Sequence, residues 1–163
     1  MDDSVFATAP TLTVTIPENI VSISVAPASA DGTFVESDDL DFSVTTDNYS
    51  GYNLTIKAAS ATNLVSGTDV LATLPSGSSL TAEAFEGGAN YINKWGYKPS
   101  KLNSVANSTY RPSPSTTTGD VIENRNTAGT NIQYTISIGA KVDLTQPIGE
   151  YSNTFVITAV ANL

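Results

Sequence analysis

The chain has 163 residues, with sixteen acids against seven bases for a net charge of −9, and it contains neither histidine nor cysteine. That inventory excludes histidine general bases, Ser-His-Asp and Cys-His nucleophiles, His/Cys zinc sites and a disulfide scaffold. The negative field repels a phosphate backbone, which argues against nucleic acid as a partner.

The length suits one domain with a full core. Charged residues make up only 14%, and Ser, Thr and Asn carry most of the polarity, a balance that fits strands and exposed loops better than helices. No apolar run reaches the roughly eighteen residues of a membrane span, so membrane insertion of this domain is not expected. Residues 1–9 read as a signal remnant or flexible N-terminus, because Ser4-Val5-Phe6-Ala7-Thr8-Ala9 resembles the small-residue end of a secretory signal. The domain then covers residues 10–163, and an extracellular location is expected, either secreted or on the cell surface.

In chain order, Leu12, Val14 and Ile16 alternate with threonines before Pro17, and Val21, Ile23 and Val25 resume the pattern, giving two short strands or one broken at the proline. Leu40, Phe42 and Val44 mark the next strand; a turn at Asn48-Tyr49-Ser50-Gly51 leads into Tyr52, Leu54, Ile56 and Ala58. The pattern weakens from Ser60 to Gly88, where short strands and at most one helical turn at Leu80 to Phe85 are expected. Alternation returns at Tyr91 to Tyr97, followed by a proline-rich irregular excursion around 98–119.

From Ile132 to Leu144 every even position is apolar or small, so one face of a long strand points inward. After Gln146-Pro147-Ile148-Gly149, residues Tyr151, Phe155, Ile157, Ala159 and Ala161 share one parity while Val156 and Val160 take the other. This arm reads as a central strand covered on both sides. The two arms are expected to pair as a hairpin with Leu144 opposite Tyr151, bending at Gly139. The fold class that follows is all-β, an antiparallel β-sandwich of immunoglobulin-like or jelly-roll-like type.

The run from Tyr134 to Asn162, with its Pro-x-Gly-x-Tyr-x-x-Thr turn, resembles the closing hairpin of secreted β-sandwich surface proteins of Gram-positive-type bacteria, and is also similar to that of fimbrial subunits, spore-coat sandwiches and wall-binding WxL proteins. Thr46 to Ile56 and Asn93-Lys94-Trp95-Gly96-Tyr97 agree with it. The chain departs from these groups in lacking Trp-x-Leu signatures and a disulfide. The resemblance implies display or assembly on a cell surface and carries no catalytic residue or cofactor. The partners it implies are a protein or glycan of a host or neighbouring cell, or further copies of the chain.

Several constellations have competing readings. Tyr91, Trp95 and Tyr97 share a parity and, with Tyr110 and Arg111 of the adjoining loop, are candidates for a carbohydrate-stacking platform; the alternative, that the aromatics are core, is favoured because three large rings are costly to expose. Glu36, Asp38, Asp39 and Asp41 are a weak calcium candidate without the order of a dedicated loop, and read more simply as a charged guard on a strand edge. Leu12, Val14 and Ile16 form either a donor strand for assembly or an ordinary first strand at home. Glu83, Glu86, Asp120, Glu123 and Glu150 supply carboxylates for glycoside hydrolysis, but no spacing selects a pair. Lys57 and Lys141, with Asn153 and Asn162, are candidates for an isopeptide cross-link, although both lysines fall on the water-facing parity. The reading reached is a non-enzymatic bacterial surface module, structural or adhesive, with a carbohydrate-binding module built around Trp95 as its rival.

Overall fold

The computed structural model describes residues 9–17 and 20–163; the proposed signal remnant falls almost wholly on residues outside that range. The chain is all-β, and its strands divide between the neighbours of two long ones.

Around β12 (Gly129–Val142) the first half pairs with β4 (Leu40–Thr46), the second half with β3 (Thr33–Glu36), and the opposite edge with β8 (Lys94–Pro99). Beyond β4 lies β1 (Leu12–Thr15), and β7 (Asp69–Thr73) joins β8 in parallel. Around β13 (Gly149–Ala161) the first half pairs with β2 (Ile20–Val25) and β6 (Leu64–Ser66), and the second half with β5 (Tyr52–Ala58), which carries β11 (Asp120–Arg125) on its outer edge. The β6–β7 hairpin connects the two sets. They meet across a common core: Trp95 of β8 stacks on Phe155 of β13 at 6.4 Å between centroids, and Tyr97 meets the same ring edge-on at 6.0 Å.

The alternation in β12 places Tyr134, Ile136, Ile138, Ala140 and Val142 in that core, as their parity requires. Leu144 lies past the strand end and is exposed. The expected hairpin does not form. No residue of β12 pairs with β13; the turn carries the chain from the set of strands around β12 to the set around β13. Each arm has one apolar face, and facing layers bury both against each other, whereas side-by-side pairing would need a further layer to cover them. Asp143 stabilises the crossover by accepting from Thr145 N at 2.9 Å and Asn93 Nδ2 at 2.9 Å, and Tyr151 Oη donates to Pro147 O at 3.0 Å.

Two further expectations change. Val156 and Val160 are exposed, Val160 by 59%, so β13 is central in its pairing but bare on its outer face. Gly139 is no bend, because β12 runs in unbroken register against β8 from Ile136 to Lys141. Its missing side chain is needed for another reason: a Cβ there would lie 2.7 Å from Tyr110 Cε1. Tyr110, Phe85 and Leu74, with Phe34 and Tyr91 alongside, form a second apolar cluster on this outer face. Lys141, expected on the wet side, lies beside this cover opposite Phe34, and Ser137, also expected there, donates to Asp39; both are only 4% exposed.

Phe85 reaches the cluster from the helix α1 (Ala82–Gly87), whose N-cap Thr81 accepts from Ala84 N at 3.3 Å. The Asn48–Gly51 turn forms as expected, with Gly51 at φ 74° and so close to Arg125 O that a Cβ would sit 2.1 Å from it.

The two faces of the layers predict unequal mutational costs. Ile138→Ala should destabilise by about 2–5 kcal/mol in urea unfolding, whereas Val160→Ala should stay within about 0.5 kcal/mol. Equal costs would contradict the layer assignment.

Candidate functional site

Three buried tyrosines donate to carboxylates, and these pairs organise the polar chemistry of the molecule. Tyr97 donates to Asp120, Tyr110 to Glu36 and Tyr134 to Glu123. Each joins elements that no local pattern connects: β8 to β11, the excursion to β3, and β12 to β11.

The Glu123 pair is the most enclosed. Glu123 turns inward because the register of β11 against β5 shifts between Val121 and Glu123, which leaves Ile122 and Glu123 consecutively buried. Lys101, on the two-residue strand β9 (Lys101–Leu102), reaches both of its oxygens at 3.0 and 3.1 Å, and Arg125 Nη1 lies 3.9 Å away. Tyr134 Oη also meets Tyr52 Oη at 2.5 Å, and Lys101 Nζ stands 5.5 Å above the Tyr134 ring. A buried carboxylate is tolerable only when so paired. At the Glu36 pair, Lys98 Nζ binds the carboxylate at 2.5 Å and sits 4.9 Å above the Tyr110 ring.

The titration behaviour follows from these contacts. Burial, reinforced by the adjacent carboxylates, pushes the Tyr97, Tyr110 and Tyr134 phenols well above their ordinary value. Burial also raises Tyr52, despite its bond to Tyr134. For Glu36, burial works upward, but the bonds from Lys98 and Tyr110 and the charge of Lys98 outweigh it and hold the carboxyl below its ordinary value.

The aromatic platform is not on the surface. Trp95, Tyr97 and Tyr110 are completely buried, and Tyr91, half-buried in a 3-10 turn, packs edge-on against Phe85 at 6.0 Å. Arg111 is brought beside Tyr97 through paired backbone bonds of 2.8 and 3.0 Å, and Tyr97, fully buried, offers no face to a sugar. The physical reason is the one that favoured the core reading: a row of large rings finds its apolar cover between layers.

The acidic segment does not converge on a metal. Asp39 accepts from Ser137 at 2.5 Å, Asp41 from Thr135 at 2.6 Å, and Glu36 is taken by Lys98 and Tyr110. Among the described residues no three acidic side chains are grouped to hold a cation.

Leu12, Val14 and Ile16 pack half-buried on the chain's own core, with Leu12 opposite Thr46 and Val14 opposite Val44. The first strand is therefore paired at home. The carboxylates considered for hydrolysis are dispersed: Glu83 and Glu86 on α1, Glu150 on β13, Asp120 and Glu123 bound to tyrosines. Lys141, expected in water, is buried with its ammonium on Gly88 O at 3.2 Å, while the amides of Asn153 and Asn162 are occupied by the carbonyls of Ala61 and Arg125.

The tyrosine–carboxylate pairs escaped sequence reasoning. Inward parity at Tyr134 was a visible signal, but its partner Glu123 depends on a register shift that alternation does not encode. No protein-family model, curated protein or solved structure matches this chain.

Tyr134→Phe should cost about 1–3 kcal/mol in urea unfolding, because it strips a donor from a buried carboxylate. Of the seven tyrosines, Tyr97, Tyr110 and Tyr134 should resist ionisation in a 295 nm titration until the fold is lost. Since folding raises their pKa values, the stability they contribute is intact below the unfolded phenol value of about 10 and declines as pH climbs beyond it. The Glu36 contribution has the opposite sign: it is present above the ordinary carboxyl value of 4.5 and is lost as pH falls through the lower folded value. Circular dichroism across both pH limits checks the two directions.

Proposed function

We propose that this chain is a non-enzymatic structural or adhesive module of a bacterial cell surface. The observation that carries the reading is the use made of its ionisable groups: Glu36, Asp120 and Glu123 each bind a buried tyrosine and tie separate strands into one scaffold. Rigid β scaffolds commonly place recognition on loops. Here the excursion after β8 is anchored by buried Tyr110 and Pro114, while its small hairpin β9–β10 (Val105–Ala106) holds Val105 67% exposed on β10. An exposed apolar residue on an anchored loop is suited to contact with another surface.

Beads coated with the purified chain are expected to adhere to extracellular-matrix proteins, bacterial cell walls or arrayed glycans. Replacing residues 103–106 with a Gly-Ser linker should weaken that adhesion while the fold is kept. Turnover of a glycoside, ester or phosphate substrate, abolished by Glu123→Gln in a chain that remains folded, would overturn the proposal.

A further inference from the structure

The two layers do not close equally along their margins. The outer edge of β11 is covered by the turn at Asn103 and Ser104, whose N–H groups donate to Val121 O at 2.9 Å and Ile122 O at 3.1 Å. Strand β1 is only four residues long and stops before Pro17. Strand β2 differs from both. Its six residues pair with β13 on one side and, among the described residues, with no strand on the other. Alternate backbone N–H and C=O groups along that side are therefore left for an incoming strand.

Beside this edge runs an open groove of about 630 Å³, between β2 and the connection from β3 to β4. Its apolar lining includes Pro17 and Ile20 together with Val21, Ile23 and Leu40, and the last three also belong to the core, so side chains entering the groove would meet the margin of the hydrophobic interior. Its rim carries Asp38, Asp39, Asp41 and Glu150, and also Glu36, whose carboxylate is taken by Lys98 and Tyr110. Asp39 and Asp41 each use one oxygen on β12, and among the described residues the other has no hydrogen-bond donor.

We infer that the β2 edge is a docking site for an extended, lysine- or arginine-bearing segment of another protein, which adds to β2 as a further strand. Backbone bonds to the edge would provide attachment, and the carboxylate rim would select basic side chains. The same rim argues against a second copy of this chain as the occupant, because every copy has a net charge of −9 and its own apolar first strand, Thr11 to Ile16, carries no basic residue. The inference concerns this margin alone and holds whether or not the module is displayed on a cell.

The test uses the full chain and a blocked peptide of about seven residues alternating lysine with valine, matched to the length of β2. Fluorescence anisotropy at low salt should report saturable binding. The triple variant Asp38→Asn, Asp39→Asn, Glu150→Gln, checked for an unchanged circular dichroism spectrum, should weaken binding roughly tenfold or more. A peptide N-methylated at alternate residues, with the same charge but one row of N–H donors removed, should lose affinity to a similar degree. Equal binding of the methylated peptide would reduce the effect to charge attraction and overturn the docking site. Absence of binding by the unmodified peptide would also overturn it, leaving the rim as a guard against aggregation. Tighter binding of a peptide with the sequence Thr11 to Ile16 would overturn the choice of a basic partner in favour of self-association.

Discussion

The stacking of Trp95 on Phe155 between facing layers is the constraint on which the rest of the structure depends. It requires β8 and β13 to present their inward faces to each other, and so places β12 and β13 in different layers despite the short turn between them. With no cysteine to cross-link the layers, cohesion comes from burial and from polar ties that cross the core. Aromatic side chains suit this place because each covers a large area and carries preferred contact geometries.

The tyrosine–carboxylate pairs extend the same constraint to polar groups. A phenol presents an apolar ring to the core and one donor at its tip, so it can lie buried and still satisfy a carboxylate near the margin. Tyr134 does so toward Glu123, with Lys101 and Tyr52 completing the set. Removing any one member leaves another short of a partner, which is why such networks specify one arrangement of strands more strongly than their net energy suggests. The pattern also accounts for the raised phenols without invoking catalysis: perturbed titration arises in structural networks as well as in active sites.

The outer surface divides by a similar logic. Where the second half of β12 would expose Gly139 and Lys141, the cluster of Phe34, Phe85 and Tyr110 covers it. Where β13 exposes Val156 and Val160, nothing among the described residues covers them, and scattered valines on a threonine-rich face are ordinary for a folded surface. The margin at β2 joins free backbone groups to a charged rim, two features that neither face displays alone.

Alternation in the sequence by itself determined that the chain is all-β, which side chains of β12 face inward, and that Trp95 and Tyr97 share one face of a strand; the parity of side chains along a strand is a local property of the backbone. Short patterns such as the Asn48–Gly51 turn and the helical turn near Phe85 were legible for the same reason. The stretch 98–119, expected to be irregular, instead holds the end of β8 and the short strands β9 and β10. Only the tertiary structure decided which strands pair, because an alternating strand can bury its apolar face equally well beside its neighbour or opposite it. It alone decided that Gly139 makes room for Tyr110, that Lys141 is buried, and that Glu123 turns inward through a register shift. These outcomes depend on residues distant along the chain competing for the same volume, and such competition is settled by packing in three dimensions.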